Sequence, residues 1–268
     1  MSFLLNRVLL TNDDGVEAEG LKALARAARQ IAQEVWIVAP ARDASGSAAC
    51  INLHDPLRVA QTSEREYSIT GTPADCVIMS CGHIMEKSPP DLILSGINRG
   101  ANLADDILFS GTTNAALVGA FLGFRAIAFS QAVHNETEIN WPQAQALVAP
   151  IVSSLLGTEW PKGIAYNVNF PAVPIEEITG VTAAKQGKGS VLAVEVETRV
   201  DKRAKPYYWF GLKRGARDQA EESDVSALRN RSISVSPLRL DRTDYDVLKN
   251  LSKHLASGVR LPKNVTAS

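Results

Sequence analysis

The sequence predicts an α/β fold: a mostly parallel sheet with helices on both faces, then an extended C-terminal β-hairpin and a closing helix. Three observations carry that prediction. Short β-branched or apolar runs that end in turn residues alternate with helical patterns along the first 170 or so residues. Runs such as Leu92-Ile93-Leu94 are apolar at every position, as strands covered on both faces must be. Beyond them the pattern changes to a period of two, the mark of half-exposed strands.

Taken in order, Val8–Thr11 is the first strand, and Ala18, Leu21, Leu24, Ala25 and Ala28 recur at helical spacing behind it. Val35–Ala39 is a second strand, ended by Pro40, and Tyr67–Thr70 a third. Gly71-Thr72-Pro73-Ala74-Asp75-Cys76 reads as a tight strand-to-helix turn. Asp75 lies in the first turn of the helix that runs to Met79, where its charge suits the helix dipole. Leu92–Leu94 is the next strand, Thr112–Leu122 an Ala-rich helix, Ala126–Ser130 a strand, Trp141–Leu156 a helix and Tyr166–Phe170 a strand before Pro171. In the last third, Val194, Val196, Thr198 and Val200 alternate with Glu195, Glu197 and Arg199. Asp201–Pro206 is a charged turn and Tyr207–Phe210 an aromatic arm, completing a hairpin at about residues 190–211. So large an aromatic surface is expected to pack on the core or on a second subunit. Ser232–Ser236 is one more strand and Tyr245–Leu255 the closing helix. The organisation expected is a core of residues 1–180 with an extension, 181–268, packed on it.

Open α/β sheets bind ligands beyond the carboxyl ends of their strands. That rule selects Asn12–Gly15, Ala41–Ser47, Ser95–Asn102 and Ser110–Thr113. Asp13 and Asp14 are adjacent carboxylates at a strand tip, where mutual repulsion calls for a positive charge, and hard oxygen ligands favour Mg²⁺ or Mn²⁺. Ser45, before Gly46, adds a hydroxyl, and Asn98 an amide oxygen; together these leave room for water or phosphate on an ion. Ser110, Gly111 and Thr112 open a helix whose free N–H groups form an anion site. A metal and an anion site side by side suit phosphate-ester hydrolysis by an activated water. Asp105 and Asp106 form a second acidic pair, expected to bond their own loop.

Composition excludes several classes. Twenty-eight basic against 29 acidic residues give a net charge of −1, without the basic excess of a nucleic-acid duplex binder. No run approaches a membrane span or a signal peptide's apolar region. Cys50, Cys76 and Cys81 stand at no ligand spacing, as expected of reduced thiols in the cytoplasm. A phosphate-accepting receiver domain fails because the central strand ends in Ser95-Gly96 rather than Asp. A dinucleotide oxidoreductase fails because no Gly-x-Gly-x-x-Gly follows the first strand. A silent nucleotide-binding or assembly protein on the same scaffold stands as the alternative.

The runs Leu10–Gly15, Ala39–Gly46, Gly71–Cys76, Ser95–Asn98 and Phe109–Thr112 resemble, in order and spacing, those of the SurE family of survival-protein phosphatases, which act as 5′-nucleotidases. Asn167–Pro171 and Ser232–Leu238 extend the resemblance more weakly. The resemblance implies a Rossmann-like core and one divalent metal (Mg, Mn or Co) held by Asp13, Asp14, Ser45 and Asn98. It implies phosphate binding by Ser110, Gly111 and Thr112, nucleoside monophosphate as substrate, and a homodimer or homotetramer formed through exchanged hairpins. Asp13 is expected to act as base and Asn12 to position the phosphoryl group. Ala41, Phe109, Ala104 and the stretch from Thr113 to Val118 depart from the family pattern without removing an expected ligand; Phe109 lacks the hydroxyl of a frequent tyrosine, which bears on substrate choice.

Overall fold

The computed structural model describes residues 3–133, 139–189, 191–214 and 220–258. Residue 190 at the edge of the expected hairpin, and residues 259–268 of the expected extension, lie outside that set. The chain runs through β1 (Leu5–Thr11), α1 (Glu19–Ala28), β2 (Ala32–Pro40), β3 (Val59–Ser63), β4 (Glu66–Ile69), α2 (Pro73–Met79) and β5 (Leu92–Arg99). It continues through α3 (Gly111–Phe121), β6 (Ala126–Gln131), α4 (Trp141–Leu156), β7 (Ile164–Phe170) and β8 (Gly180–Ala183). The last third holds β9 (Val191–Val200), β10 (Pro206–Arg214), α5 (Asp224–Arg229), β11 (Ser232–Arg239) and α6 (Tyr245–Gly258).

Nine strands form one sheet in the order β3-β4-β2-β1-β5-β6-β7-β11-β8, and β9 pairs with β10 in a separate ribbon. From β4 to β7 every neighbouring pair is parallel; β3 on β4 and β11 on β7 are antiparallel. The two-faced apolar runs do what their pattern demands. Val8 and Leu10 of β1 join one buried cluster with Leu21 and Leu24 of α1 and Val148 and Val152 of α4. Leu9, between them, joins the opposite cluster with Cys76 and Val77 of α2 and Ala115 and Ala116 of α3. Each such aliphatic side chain taken from water stabilises the fold by about 1.5–3 kcal/mol. The two layers therefore clamp the sheet from both sides and leave its carboxyl edge open.

Two strands were not legible. β3 and β8 are exposed along their whole length, so neither carries an apolar alternation. β11, expected to end at Ser236, continues to Arg239 with the exposed Pro237 inside it. It lies between β7 and β8, so the sheet draws two strands from beyond residue 179. The hairpin forms with Tyr207 opposite Arg199 and Phe210 opposite Val196. Of the two expected partners for its aromatic arm, the chain's own core is not one: Trp209 is 58% and Phe210 80% exposed. Tyr245, Leu248, Leu251 and Leu255 of α6 are likewise exposed.

Candidate active site

The segment Asn12–Gly15 leaves the end of β1 between β2 and β5, at the sheet's carboxyl edge. Gly15 adopts φ +99°, a conformation that side-chain-bearing residues rarely take, and the Asn12 amide nitrogen closes the turn on the Gly15 carbonyl at 2.8 Å. The Asn12 Oδ1 is buried without a partner. As placed, then, Asn12 shapes the turn with its donor and offers the site an acceptor.

Asp13 is 3% exposed and reaches the start of α3. Its carboxylate accepts the Thr112 backbone N–H at 3.0 Å and the Thr112 hydroxyl as well. Two groups chosen separately from the sequence, the acidic pair and the helix opening, are thus in direct contact. A consequence follows for the anion site: the amide and hydroxyl of Thr112 are already taken by Asp13. The positive end of α3 stabilises this carboxylate first. Ser110 caps the helix, its hydroxyl accepting the Thr113 N–H at 2.9 Å and keeping its own proton to donate. Gly111 permits the close approach, since a Cβ there would lie 2.8 Å from the Asp13 Cβ and 2.9 Å from the Ser47 Oγ.

Asp14 is half-buried and accepts the Arg99 backbone N–H at a long 3.4 Å. Ala44 donates to the Asp13 carbonyl at 2.8 Å, which brings Ser45, the next residue, to the same edge; the Ser45 amide bonds the Asp43 carboxylate at 2.7 Å. The Ser45 side chain is exposed, and its hydroxyl is uncommitted among the described residues. Asn98 is half-buried at the end of β5, with its amide nitrogen on the Gly100 carbonyl at 2.9 Å and its oxygen open. Asp105 accepts the Gly189 N–H at 2.9 Å, a bond to a segment far away in sequence and not to its own loop. Ser47 closes the Ala41–Ser47 segment that the strand-end rule selects, but no sequence signal assigned it a role of its own; its Oγ is buried without a partner beside Gly111.

The electrostatics of the pair are unbalanced. Burial raises the Asp13 carboxyl pKa against the opposing bonds from Thr112. Burial first, and then the Asp13 charge, push Asp14 up to about 6. Among the described residues no Lys or Arg stands within ion-pair distance of either carboxylate. No group of three His, Cys, Asp or Glu is found among them that could hold a metal. The Arg99 charge opposes the Asp14 shift without cancelling it. The donor set expected from the sequence, two carboxylates, a hydroxyl and an amide oxygen, consists of hard oxygens only. Such a set fits a small divalent cation and not a thiolate-type zinc site.

The pKa of Asp14 gives an expected result in metal-free protein. Below about pH 4 the carboxyl is neutral whether the chain is folded or not. Between there and about pH 6 the unfolded chain ionises while the folded chain resists, so stability is lost as pH rises through that window. In EDTA, Asp14→Asn should melt higher than wild type by about 3 °C at pH 8, with the difference gone near pH 4. Equal melting temperatures at both pH values would show that the charge is not strained.

A family model, Survival protein SurE, matches residues 8–192. The chain belongs to the SurE family. It is 41% identical over 253 residues to the 5′-nucleotidase SurE of Parvibaculum lavamentivorans, covering 94% of this chain and 91% of the relative. With the 5′-nucleotidase SurE of Mesorhizobium japonicum the identity is 44% over 253 residues, covering 93% and 100%. The crystal structure of the SurE protein from Aquifex aeolicus superposes with a TM-score of 0.79 at 36% identity, over 92% of this chain and 98% of that one. The SurE match ends soon after β9 begins, so most of the hairpin lies beyond it.

Proposed function

We propose that this chain is a 5′-nucleotidase that hydrolyses nucleoside 5′-monophosphates to nucleoside and phosphate. The relatives named above support the substrate class. The observation that carries the chemistry is the Asp13 carboxylate seated on the first turn of α3 with Asp14 beside it and, among the described residues, no basic side chain in ion-pair contact with either. Asp13, Asp14, Ser45 and Asn98 would hold one Mg²⁺, Mn²⁺ or Co²⁺. Such an ion supplies Lewis acidity towards a phosphoryl oxygen and lowers the pKa of water towards neutrality. Ser110 and Gly111 donate to the phosphoryl oxygens through the Ser110 hydroxyl and the helix opening, while Thr112 contributes by orienting Asp13. Asp13, held at a fixed angle by that contact, accepts the proton of the attacking water. Asn12 fixes the turn that presents both carboxylates.

The exposed aromatic arm of β10 and the apolar residues of α6 support a homodimer or homotetramer. On this reading residues 1–180 are the catalytic core, and 181–268 an extension that adds strands to its sheet and supplies the hairpin and α6 for assembly. The proposed compartment is the cytoplasm, which suits free cysteines at 50, 76 and 81. Among the described residues no helix is long and apolar enough to cross a membrane.

The test is phosphate release from a panel of 5′- and 3′-monophosphates in Mg²⁺, Mn²⁺ and Co²⁺, with EDTA as control. Release from 5′-monophosphates, lost in EDTA and restored by a divalent ion, is the expected result. Binding of nucleotide without any release would assign the chain to the silent class.

A further inference from the structure

The loop from Ala41 to Leu57 carries Ser45 and Ser47, yet it contains neither helix nor strand. Its near end is tied down by Ala41 N–H on the Ile69 carbonyl at 2.8 Å and Ala44 N–H on Asp13 at 2.8 Å. Past the serines the chain turns through Ala48 at φ +51°, a left-handed conformation that a Cβ disfavours, with its N–H on the Phe109 carbonyl at 3.2 Å. A residue held that way needs an anchor downstream.

The anchor is Asp75. It is 3% exposed and accepts the Asn52 backbone N–H at 3.0 Å, the Asn52 side-chain amide at 2.5 Å and the Thr72 N–H at 3.0 Å. Thr72 completes the clamp, donating its hydroxyl to the Cys50 carbonyl at 2.5 Å while that oxygen caps Asp75 N–H at 3.1 Å. Gly71 makes room, because a Cβ there would stand 2.7 Å from the Asp75 Oδ2. A capping box needs only the two bonds between Thr72 and Asp75. The bonds to Cys50 and Asn52 are surplus to helix capping, and both fall on the segment just after Ser47.

We propose that Asp75 is a positioning residue: directly through Asn52, and through Thr72 on the Cys50 carbonyl, it holds the 44–50 loop so that Ser45 and Ser47 stay beside Asp13 and Gly111. Asp75 touches no reacting atom on this account and acts only through the loop. The activity arm of the test rests on the 5′-nucleotidase reading; the loop arm does not.

The test compares wild type, Asp75→Asn and the double variant Asp75→Asn/Asn52→Asp, by amide hydrogen exchange and by phosphate release from a 5′-monophosphate. Asp75→Asn sets an N–H₂ against the Asn52 amide and the Thr72 N–H. It should speed exchange at residues 44–50 while β1 and α1 keep their protection. It should also lower kcat/KM about 100-fold, as a displacement of roughly 1 Å at a site can. The double variant restores a donor–acceptor pair with the roles exchanged, and should regain about tenfold of that loss as the loop is again protected. Unchanged loop exchange in Asp75→Asn overturns the proposal, whatever happens to activity. Faster exchange throughout the protein overturns it too, since the role would then be general stability. If wild type releases no phosphate from any nucleotide, the function fails while the exchange arm still decides the clamp.

Discussion

Asp13→Asn is expected to lower phosphate release from AMP or GMP in Mn²⁺ about 1,000-fold, within the range for losing a general base. The substitution keeps the size of the side chain and removes its charge. It also weakens the contact that orients it. The Asp13 carboxylate accepts two donors from Thr112, the N–H at 3.0 Å and the hydroxyl. An asparagine can accept the N–H through its oxygen and donate its N–H₂ to the Thr112 hydroxyl, which rotates to accept it. The exchange replaces two charge-assisted bonds by neutral ones and should cost about 1 kcal/mol of stability. The charge effect works the other way, because burial disfavours the ionised carboxylate in metal-free protein. A small net change in melting temperature with a large loss of turnover is therefore the expected pairing. Steady-state kinetics beside a thermal melt would check it. Near wild-type turnover from a folded variant would remove Asp13 from the mechanism.

Gly20→Ala should produce the largest loss of stability. In an exposed helix this change stabilises by up to about 1 kcal/mol, because alanine is the better helix former. Here the sign reverses. Gly20 is buried in the first turn of α1, and a Cβ there would fall 1.9 Å from the Ile97 carbonyl oxygen and 3.1 Å from the Trp141 ring. Neither the β5 backbone nor α4 can yield by that much, so α1 must lift off the sheet. We expect a loss of about 4 kcal/mol or more, at the upper end for single substitutions. Ile97 directly precedes Asn98, so the displacement should reach the site and reduce activity in the protein that remains folded. Urea denaturation measures the first effect. A loss under about 1 kcal/mol would mean that the helix–strand approach has slack.

Much of the fold was legible because the apolar pattern has a period that only one local structure satisfies. The helix over Trp141–Leu156 was read to the residue, and Leu92–Leu94 was read as two-faced because nothing in it could meet water. The acidic pair stood out by a physical conflict, two like charges at a strand tip, and that conflict is visible in a linear chain. β3, β8 and α5 were missed since they are short, and the two strands lie on the surface without an apolar stripe. The role of Ser47 and the clamp at Asp75 were missed for another reason. Their significance lies in partners far off in sequence, Gly111 for one and Asn52 for the other.

The sequence by itself thus determined most of the strands and helices, that the central strands are covered on both faces, and which loops following strands to inspect for chemistry. Local backbone preference and periodic burial are properties of neighbouring residues, and so they are written into the chain directly. Only the tertiary structure decided that the opening of α3 serves Asp13 through Thr112, that β11 inserts between β7 and β8, and that the aromatic arm finds no cover among the described residues of its own chain. Each of those depends on which surfaces meet once the sheet has assembled. Such pairings are settled by packing and hydrogen-bond satisfaction across the whole molecule, and no window of sequence contains them.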